Sequence, residues 1–176
     1  ISQKDLSEKM SKDIDEMERM LNDYLQFAKT QSQENSSKII LKNLLDEIKS
    51  NFHNSNLEIF CKDDIVFIGR PLSIKRCFEN IIQNGLTYGN KVTLSAQKGS
   101  SFILISIEDD GPGIPEDQYR NVFKPFFRLD KSRSLNKSGI GLGLAIVEDI
   151  INSHGGNIQL GKSKQKGLLV KISLPF

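Results

Sequence analysis

The chain has 176 residues, 24 Lys plus Arg against 22 Asp plus Glu, 38% hydrophobic and 26% charged residues, values ordinary for a globular protein. They exclude a disordered segment, a collagen and a disulfide scaffold, and a net charge of +2 is too small for a nucleic-acid platform. No apolar run approaches the ~18 residues of a membrane span, and the start has neither an initiator Met nor a signal-peptide pattern, so the sequence reads as a soluble piece of something longer. Cys61 and Cys77 have no CxxC or Cys/His cluster beside them and read as packing residues in a reducing compartment.

In chain order, Met10, Ile14, Met17, Leu21, Tyr24 and Ala28 fall at spacings of 4, 3, 4, 3 and 4 through an otherwise charged segment. That is the seam of a bundle helix in need of partners, or of a helix folded back on its own domain. Residues 1–34 carry five basic and eight acidic side chains, and the polar run Gln31 to Ser37 reads as a linker. A body follows over residues 37–176. Ser37 to Ile40 suggests a short strand, and Leu41, Leu44, Leu45, Ile48 and Phe52 a helix. Leu57 to Cys61 and Ile65 to Ile68 read as strands around an Asp63-Asp64 turn. A helix starts at Pro71 and runs to about Thr87. Lys91 to Lys98 and Phe102 to Glu108 alternate like a hairpin, Leu142 to Ser153 is a third helix, and Asn157 to Leu160 with Leu168 to Leu174 close a second hairpin. Two hairpins argue against an all-parallel sheet. The expected class is α+β: a two-layer sandwich whose mixed, mostly antiparallel sheet is covered by three helices, preceded by one long helix.

Four segments carry chemistry. At ~100° per residue, Asn80 and Asn84 share a helix face opposite Ile74, Phe78, Ile81 and Ile82, and two amide oxygens one turn apart can address one hard cation or form a plain surface pair. Glu108-Asp109-Asp110-Gly111-Pro112-Gly113 follows a strand directly. Its glycines let the backbone approach a flat ligand and its carboxylate can accept from an exocyclic amine, unless it is a simple acidic turn. Gly139-Ile140-Gly141-Leu142-Gly143 precedes a helix, where glycine N–H groups suit phosphate oxygens. The spacing and setting fit neither a dinucleotide fold nor a Walker loop. Between them, residues 114–138 hold Phe123, Phe126 and Phe127 and, over the whole segment, six cations against three carboxylates, a flap that could neutralise phosphates or a solvated loop.

Taken in order, the Asn pair, DxGxG, the Phe-rich segment and GxGxG resemble the ATPase superfamily of gyrase, the ninety-kilodalton heat-shock chaperone, MutL and histidine kinases. "ENIIQNGLTYGN", "EDDGPGIP", "VFKPFFRLDKSR" and "SGIGLGLAIV" look most like the EnvZ-type osmosensor kinases. The resemblance implies a Bergerat-type ATP-binding fold over residues 37–176, and the second helix of a dimerisation and histidine-phosphotransfer hairpin over residues 1–34. It implies ATP and magnesium as ligands, with Asn84 as the principal magnesium ligand and Asn80 at the phosphate and metal end. Asp109 would bind the adenine amino group, Gly111 and Gly113 would lie against the base, and Tyr88 beside it. Gly139, Gly141, Leu142 and Gly143 would cradle the phosphates, Phe123, Phe126 and Phe127 would anchor the lid, and Arg128 or Arg133 would reach the polyphosphate.

In hydrolysing relatives a water-activating Glu stands where this chain has Asn80, and an amide is no general base; transfer to a histidine is favoured, with the imidazole as nucleophile. The expected partners are therefore the chain's own hairpin in a homodimer and a response regulator receiver domain, in the cytoplasmic portion of a bacterial inner-membrane protein. Thr87 stands where the family usually has Lys or Arg, and Gly85 where it has Ala. That keeps open a nucleotide-binding regulatory module without transfer, beside a hydrolysing ATPase. His53 and His154 lack the His-Glu-x-x-x-x-Pro acceptor pattern and are expected to be structural, His154 as a partly charged imidazole at a helix C-terminus; the acceptor is expected upstream of Ile1.

Overall fold

The computed structural model describes residues 34–129 and 141–176, together with residues 10, 11, 14, 15, 17, 18, 21 and 25. The chain divides into two units between Glu34 and Asn35. In the first, Met10, Ile14, Met17, Leu21 and Leu25 are helical and exposed, and their spacing puts them on one stripe. Tyr24 and Ala28 of the expected seam lie outside the described residues.

The second unit begins with β1 (Ser37–Ile40) and α1 (Leu41–Asn51), in which Leu41, Leu44, Leu45 and Ile48 form a buried stripe at helical spacing. Next come β2 (Leu57–Cys61), β3 (Val66–Gly69) and α2 (Pro71–Tyr88). Proline at the start of α2 lacks an N–H that the helix would leave unpaired there anyway, and Ile74, Cys77, Phe78, Ile81 and Ile82 supply its buried face. Burying each of the larger of these side chains contributes about 1.5–3 kcal/mol. The remaining elements are β4 (Val92–Lys98), β5 (Phe102–Asp109), a single 3₁₀ turn at Glu116–Gln118, α3 (Gly143–Ser153), β6 (Asn157–Lys162) and β7 (Leu168–Pro175). No helix among the described residues is long and apolar enough to cross a membrane.

The main sheet has the order β2-β4-β5-β7-β6, with β2 parallel to β4 and every other pair antiparallel. Both expected hairpins, β4–β5 and β6–β7, are present. The strands on either side of Asp63-Asp64 do not pair with each other, because β3 leaves to form a separate two-stranded ribbon with β1. Asp63 Oδ2 accepts the Lys98 N–H at 2.9 Å, which ties the exit of β2 to the end of β4. Val92, Leu94 and Ala96 on β4, Ile103, Ile105 and Ile107 on β5, and Val170, Ile172 and Leu174 on β7 are buried while their neighbours along each strand face out, the period-2 pattern of a sheet covered on one face. The register sets Asp109 opposite Val92, at the last residue of β5 and the first of β4. That pairing places the acidic strand end beneath the C-terminal turns of α2.

Candidate functional site

A Cβ on Gly85 would stand 2.6 Å from Val92 Cγ2 and 3.3 Å from Asp109 Cβ. Only a residue without a side chain lets α2 sit this low on the sheet, and its last turns therefore meet the end of β5. There, Asp109 Oδ1 accepts two backbone N–H groups, Gly111 at 2.8 Å and Leu168 at 3.1 Å. Partial burial pushes the Asp109 carboxyl up from its ordinary range, the two N–H donors pull it back, and neighbouring Asp110 adds to the rise. Asp110 behaves oppositely. Its Oδ1 accepts from the Lys91 and Asn90 N–H groups at 2.9 and 2.7 Å, and these donors hold its carboxyl below the usual range. Two adjacent carboxylates thus divide the work: Asp110 fastens the loop after α2, and Asp109 keeps Oδ2 without a donor among the described residues.

The turn after Asp109 is built by close backbone approach. A Cβ on Gly111 would lie 2.9 Å from Asp109 Oδ1 and 3.1 Å from the Tyr88 carbonyl oxygen, while Gly113 takes φ +71, a conformation glycine adopts at little cost. Tyr88 itself is exposed at the end of α2. The third glycine segment opens α3. Gly141, at φ +80, would place a Cβ 2.8 Å from the Phe127 carbonyl oxygen, and its own carbonyl accepts the Phe126 N–H at 3.0 Å. The Phe-rich segment is therefore stitched to the start of α3 through backbone, with Phe126 exposed and at φ 64.

Leu142 is buried and caps α3 without a side-chain hydrogen bond, so among the described residues no capping side chain claims the first N–H groups of the helix. The Asn84 side-chain amide faces this end: its Nδ2 and Oδ1 lie 3.5 and 3.8 Å from where a Cβ on Gly143 would stand. One turn earlier on α2, Asn80 Nδ2 is buried and has no hydrogen-bond partner among the described residues. A buried donor without an acceptor costs about 1–3 kcal/mol, and the chemistry that would satisfy it is an anionic oxygen.

The fold thus brings Asn80, Asn84, Asp109, Gly111, Gly113, Gly141, Leu142 and Gly143 to the ends of α2, β5 and α3. Phe123 stands apart, lining a cleft of about 410 Å³ with Tyr119, Arg120, Glu148, Ile158 and Leu160. Arg128 is half-buried; Arg133 and Gly139 lie outside the described residues. Two glycines not singled out from the sequence matter here. A Cβ on Gly89 would lie 2.5 Å from Asp110 Oδ1, and one on Gly167 would lie 2.1 Å from Asp109 Oδ1. Both sit in stretches that read as ordinary turns, so spacing along the chain carries no sign of the contact.

The sequence model of a family described as the histidine kinase-, DNA gyrase B-, and HSP90-like ATPases matches residues 69–176. The chain belongs to this family. The sensor histidine kinase GtrS of Pseudomonas aeruginosa is 36% identical over 172 residues, covering 97% of this chain and 36% of that protein. The sensor histidine kinase CpxA of Escherichia coli is 37% identical over 109 residues, 61% of this chain and 24% of that protein. The chain spans about a third or less of the length of these curated relatives. The histidine kinase domain of the Escherichia coli osmosensor EnvZ is 35% identical, with a TM-score of 0.62 over 79% of this chain and 88% of that one. The fold and the motifs are those of a histidine kinase catalytic domain.

Both histidines of this kinase domain are engaged at helix ends. His53 Nδ1 lies 3.0 Å from the Ser50 carbonyl oxygen, just past α1. At the end of α3, His154 Nε2 accepts the Arg70 N–H at 3.1 Å and Nδ1 lies 2.7 Å from the Ile150 carbonyl oxygen. A ring with its proton on Nδ1 satisfies both contacts. The charged ring expected from the helix dipole would instead point a proton at the Arg70 N–H. Arg70 also donates from its guanidinium to Ser153 Oγ, so the pair ties the start of α2 to the end of α3 and thereby sets the relation of the two helices that frame the site.

Proposed function

We propose that this domain binds ATP between the ends of α2, β5 and α3 and transfers the γ-phosphoryl group to a histidine on a dimerisation hairpin, for relay to an aspartate of a response regulator receiver domain. The observation that carries this reading is the buried Asn80 N–H₂, without a partner among the described residues, one turn before Asn84, whose amide faces the N-terminus of α3. An anionic oxygen satisfies both. Asp109 Oδ2 accepts from the adenine amino group, Gly111 and Gly113 bring backbone close to the base, and Tyr88 packs at its edge. Gly141, Leu142 and Gly143, with Gly139, cradle the phosphates; Phe123, Phe126 and Phe127 hold the flap, and Arg128 and Arg133 reach the polyphosphate.

Among the described residues no three His, Cys, Asp or Glu side chains converge on a metal-sized site. The amide oxygen of Asn84, with that of Asn80 one turn away, would hold magnesium together with phosphate oxygens, a donor set this oxygen-seeking ion accepts. When bound, the ion neutralises phosphate charge. The chain's own part is positional: α2 and α3 fix the amides and the N–H groups, and no side chain at Asn80 can deprotonate water, which disfavours hydrolysis. The imidazole nitrogen of the acceptor forms the bond to the γ-phosphorus as the bond to the bridging oxygen breaks and ADP leaves.

Residues 1–34 are read as the second helix of the hairpin, on the strength of the Met10, Ile14, Met17 and Leu21 stripe exposed in the single chain, and a second copy in a homodimer covers it. His53 and His154 are not the acceptor, which lies in the hairpin's first helix, in the cytoplasmic part of an inner-membrane sensor. Calorimetric titration with ATP and magnesium tests the binding reading: saturable heat is expected, lost or much reduced in Asp109→Asn. Incubation with a separately made hairpin tests transfer, with acid-labile phosphate expected on the hairpin and none on this chain. One observation favours a second reading. Thr87 has its hydroxyl donated to the Gln83 carbonyl oxygen at 2.7 Å and offers no cation to the site. Binding without transfer to any supplied hairpin would identify a regulatory module that uses ATP only to set conformation.

A further inference from the structure

The connection between β6 and β7 does more than turn the chain. Its residues make a chain of contacts that ends on Asp109. Glu108 Oε2 accepts from Ser163 Oγ and from the Lys164 N–H, both at 3.0 Å. Ser163, buried, accepts the Gln165 N–H on its hydroxyl at 2.9 Å, and Gln165 Nε2 donates to Thr93 Oγ1 on β4 at 2.9 Å. Lys166 takes φ 79, and the Ser163 N–H closes the loop on the Gly167 carbonyl oxygen at 2.9 Å. Held this way, Gly167 presses its backbone against the Asp109 carboxylate, at a distance no side chain would allow, and the Leu168 N–H lands on Oδ1. With the Gly111 N–H also on Oδ1, one carboxylate oxygen is fully committed and its plane is fixed.

We propose that the loop from Ser163 to Leu168 is the positioning element of the base site, and that by committing Asp109 Oδ1 to backbone donors and leaving Oδ2 as the acceptor it selects purines with an exocyclic amine over purines with a carbonyl at that position. The inference rests on the reading of Asp109 as the base-recognising carboxylate. A fixed acceptor can receive an amine proton but meets a carbonyl oxygen lone pair to lone pair, and a site built for one hydrogen bond rejects the ligand that cannot make it. A carboxylate free to rotate would relieve that clash and lose the distinction. Glu108, Ser163, Gln165 and Gly167 act through Asp109 and touch no ligand.

The test is the ratio of dissociation constants for ATP and inosine triphosphate, measured by calorimetry on the 176-residue protein with magnesium. The wild type is expected to favour ATP by at least about tenfold, equivalent to ~1.4 kcal/mol. Gly167→Ala, which forces the carboxylate aside, should weaken ATP binding about tenfold or more and leave the inosine nucleotide within about twofold. Should that variant not fold, Glu108→Ala and Glu108→Gln decide: the alanine removes the acceptor for Ser163 Oγ and the Lys164 N–H and should lower the ratio, and the amide keeps an acceptor oxygen and should preserve it. Absence of ATP binding in the wild type would overturn the functional reading itself. ATP binding without preference over the inosine nucleotide, or equal weakening of both ligands in the loop variants, would overturn the positioning role and leave that reading standing.

Discussion

Replacing Asn80 with leucine should make the domain more stable and less responsive to nucleotide. Without nucleotide the Asn80 N–H₂ is buried with no acceptor among the described residues, a state that costs about 1–3 kcal/mol. Leucine has nearly the same shape and no donor to leave unsatisfied. For a domain of this size each kcal/mol moves Tm by about 2–4 °C, so the variant should melt about 2–12 °C higher than wild type without ligand. With nucleotide the order of benefit reverses. At a concentration 100-fold above its dissociation constant, ATP stabilises the wild type by about 2.7 kcal/mol. Losing one hydrogen bond to a charged oxygen, about 1.5–3 kcal/mol, weakens binding about 10- to 100-fold, and the same concentration then stabilises the variant by only about 0.4–1.4 kcal/mol. Thermal unfolding of both proteins with and without ATP and magnesium reads all four states. A ligand-free variant less stable than wild type would mean that the amide has a partner in the folded chain. An undiminished response to nucleotide would mean that the orphaned donor does not face the ligand.

Other outcomes follow from the same geometry. Gly85→Ala should destabilise the fold by about 1–3 kcal/mol through overpacking against Val92, despite alanine's better helix propensity. In a denaturant-unfolding cycle Val92→Ala should offset part of that loss, with a coupling of about 1 kcal/mol; simple additivity would contradict the contact. Asp109→Asn should raise stability at neutral pH. The folded Asp109 carboxyl is raised, chiefly by burial, so its contribution is fullest below the unfolded value and is lost as pH rises through the folded one. The gain of the neutral amide should close as unfolding is measured towards pH ~4. Asp110→Asn should have the opposite sign, because the depressed Asp110 carboxyl contributes above the unfolded value and loses that contribution as pH falls. His154→Ala strands the Arg70 N–H and frees the end of α3, and should cost about 1–3 kcal/mol in chemical denaturation; no loss would mean that solvent replaces the ring at both contacts.

The motifs were legible in the sequence because each is local. A phosphate-binding turn needs its glycines next to the helix they open, as Gly141 and Gly143 are next to α3, and two amides share a face because α2 repeats every 3.6 residues. The alternation of Val92, Leu94 and Ala96 against Ile103, Ile105 and Ile107 likewise specified the β4–β5 hairpin, since strand period and a short turn leave one register that buries both sets. Pairing between distant segments was not legible. β2 and β3 read as strands around a turn, yet β2 aligns with β4 and β3 with β1, pairings between segments that spacing along the chain does not encode. The same holds at the site. Nothing near Gly167 in the sequence announces that it closes on Asp109 Oδ1 from the entry to β7, the strand that pairs with β5. Nor does the pattern around Asn80 distinguish a solvated amide from a buried one. The sequence by itself determined which chemical groups this protein carries and in what local geometry. Only the tertiary structure decided which of them are left unsatisfied, because burial and close backbone contact are properties of segments brought together across the chain.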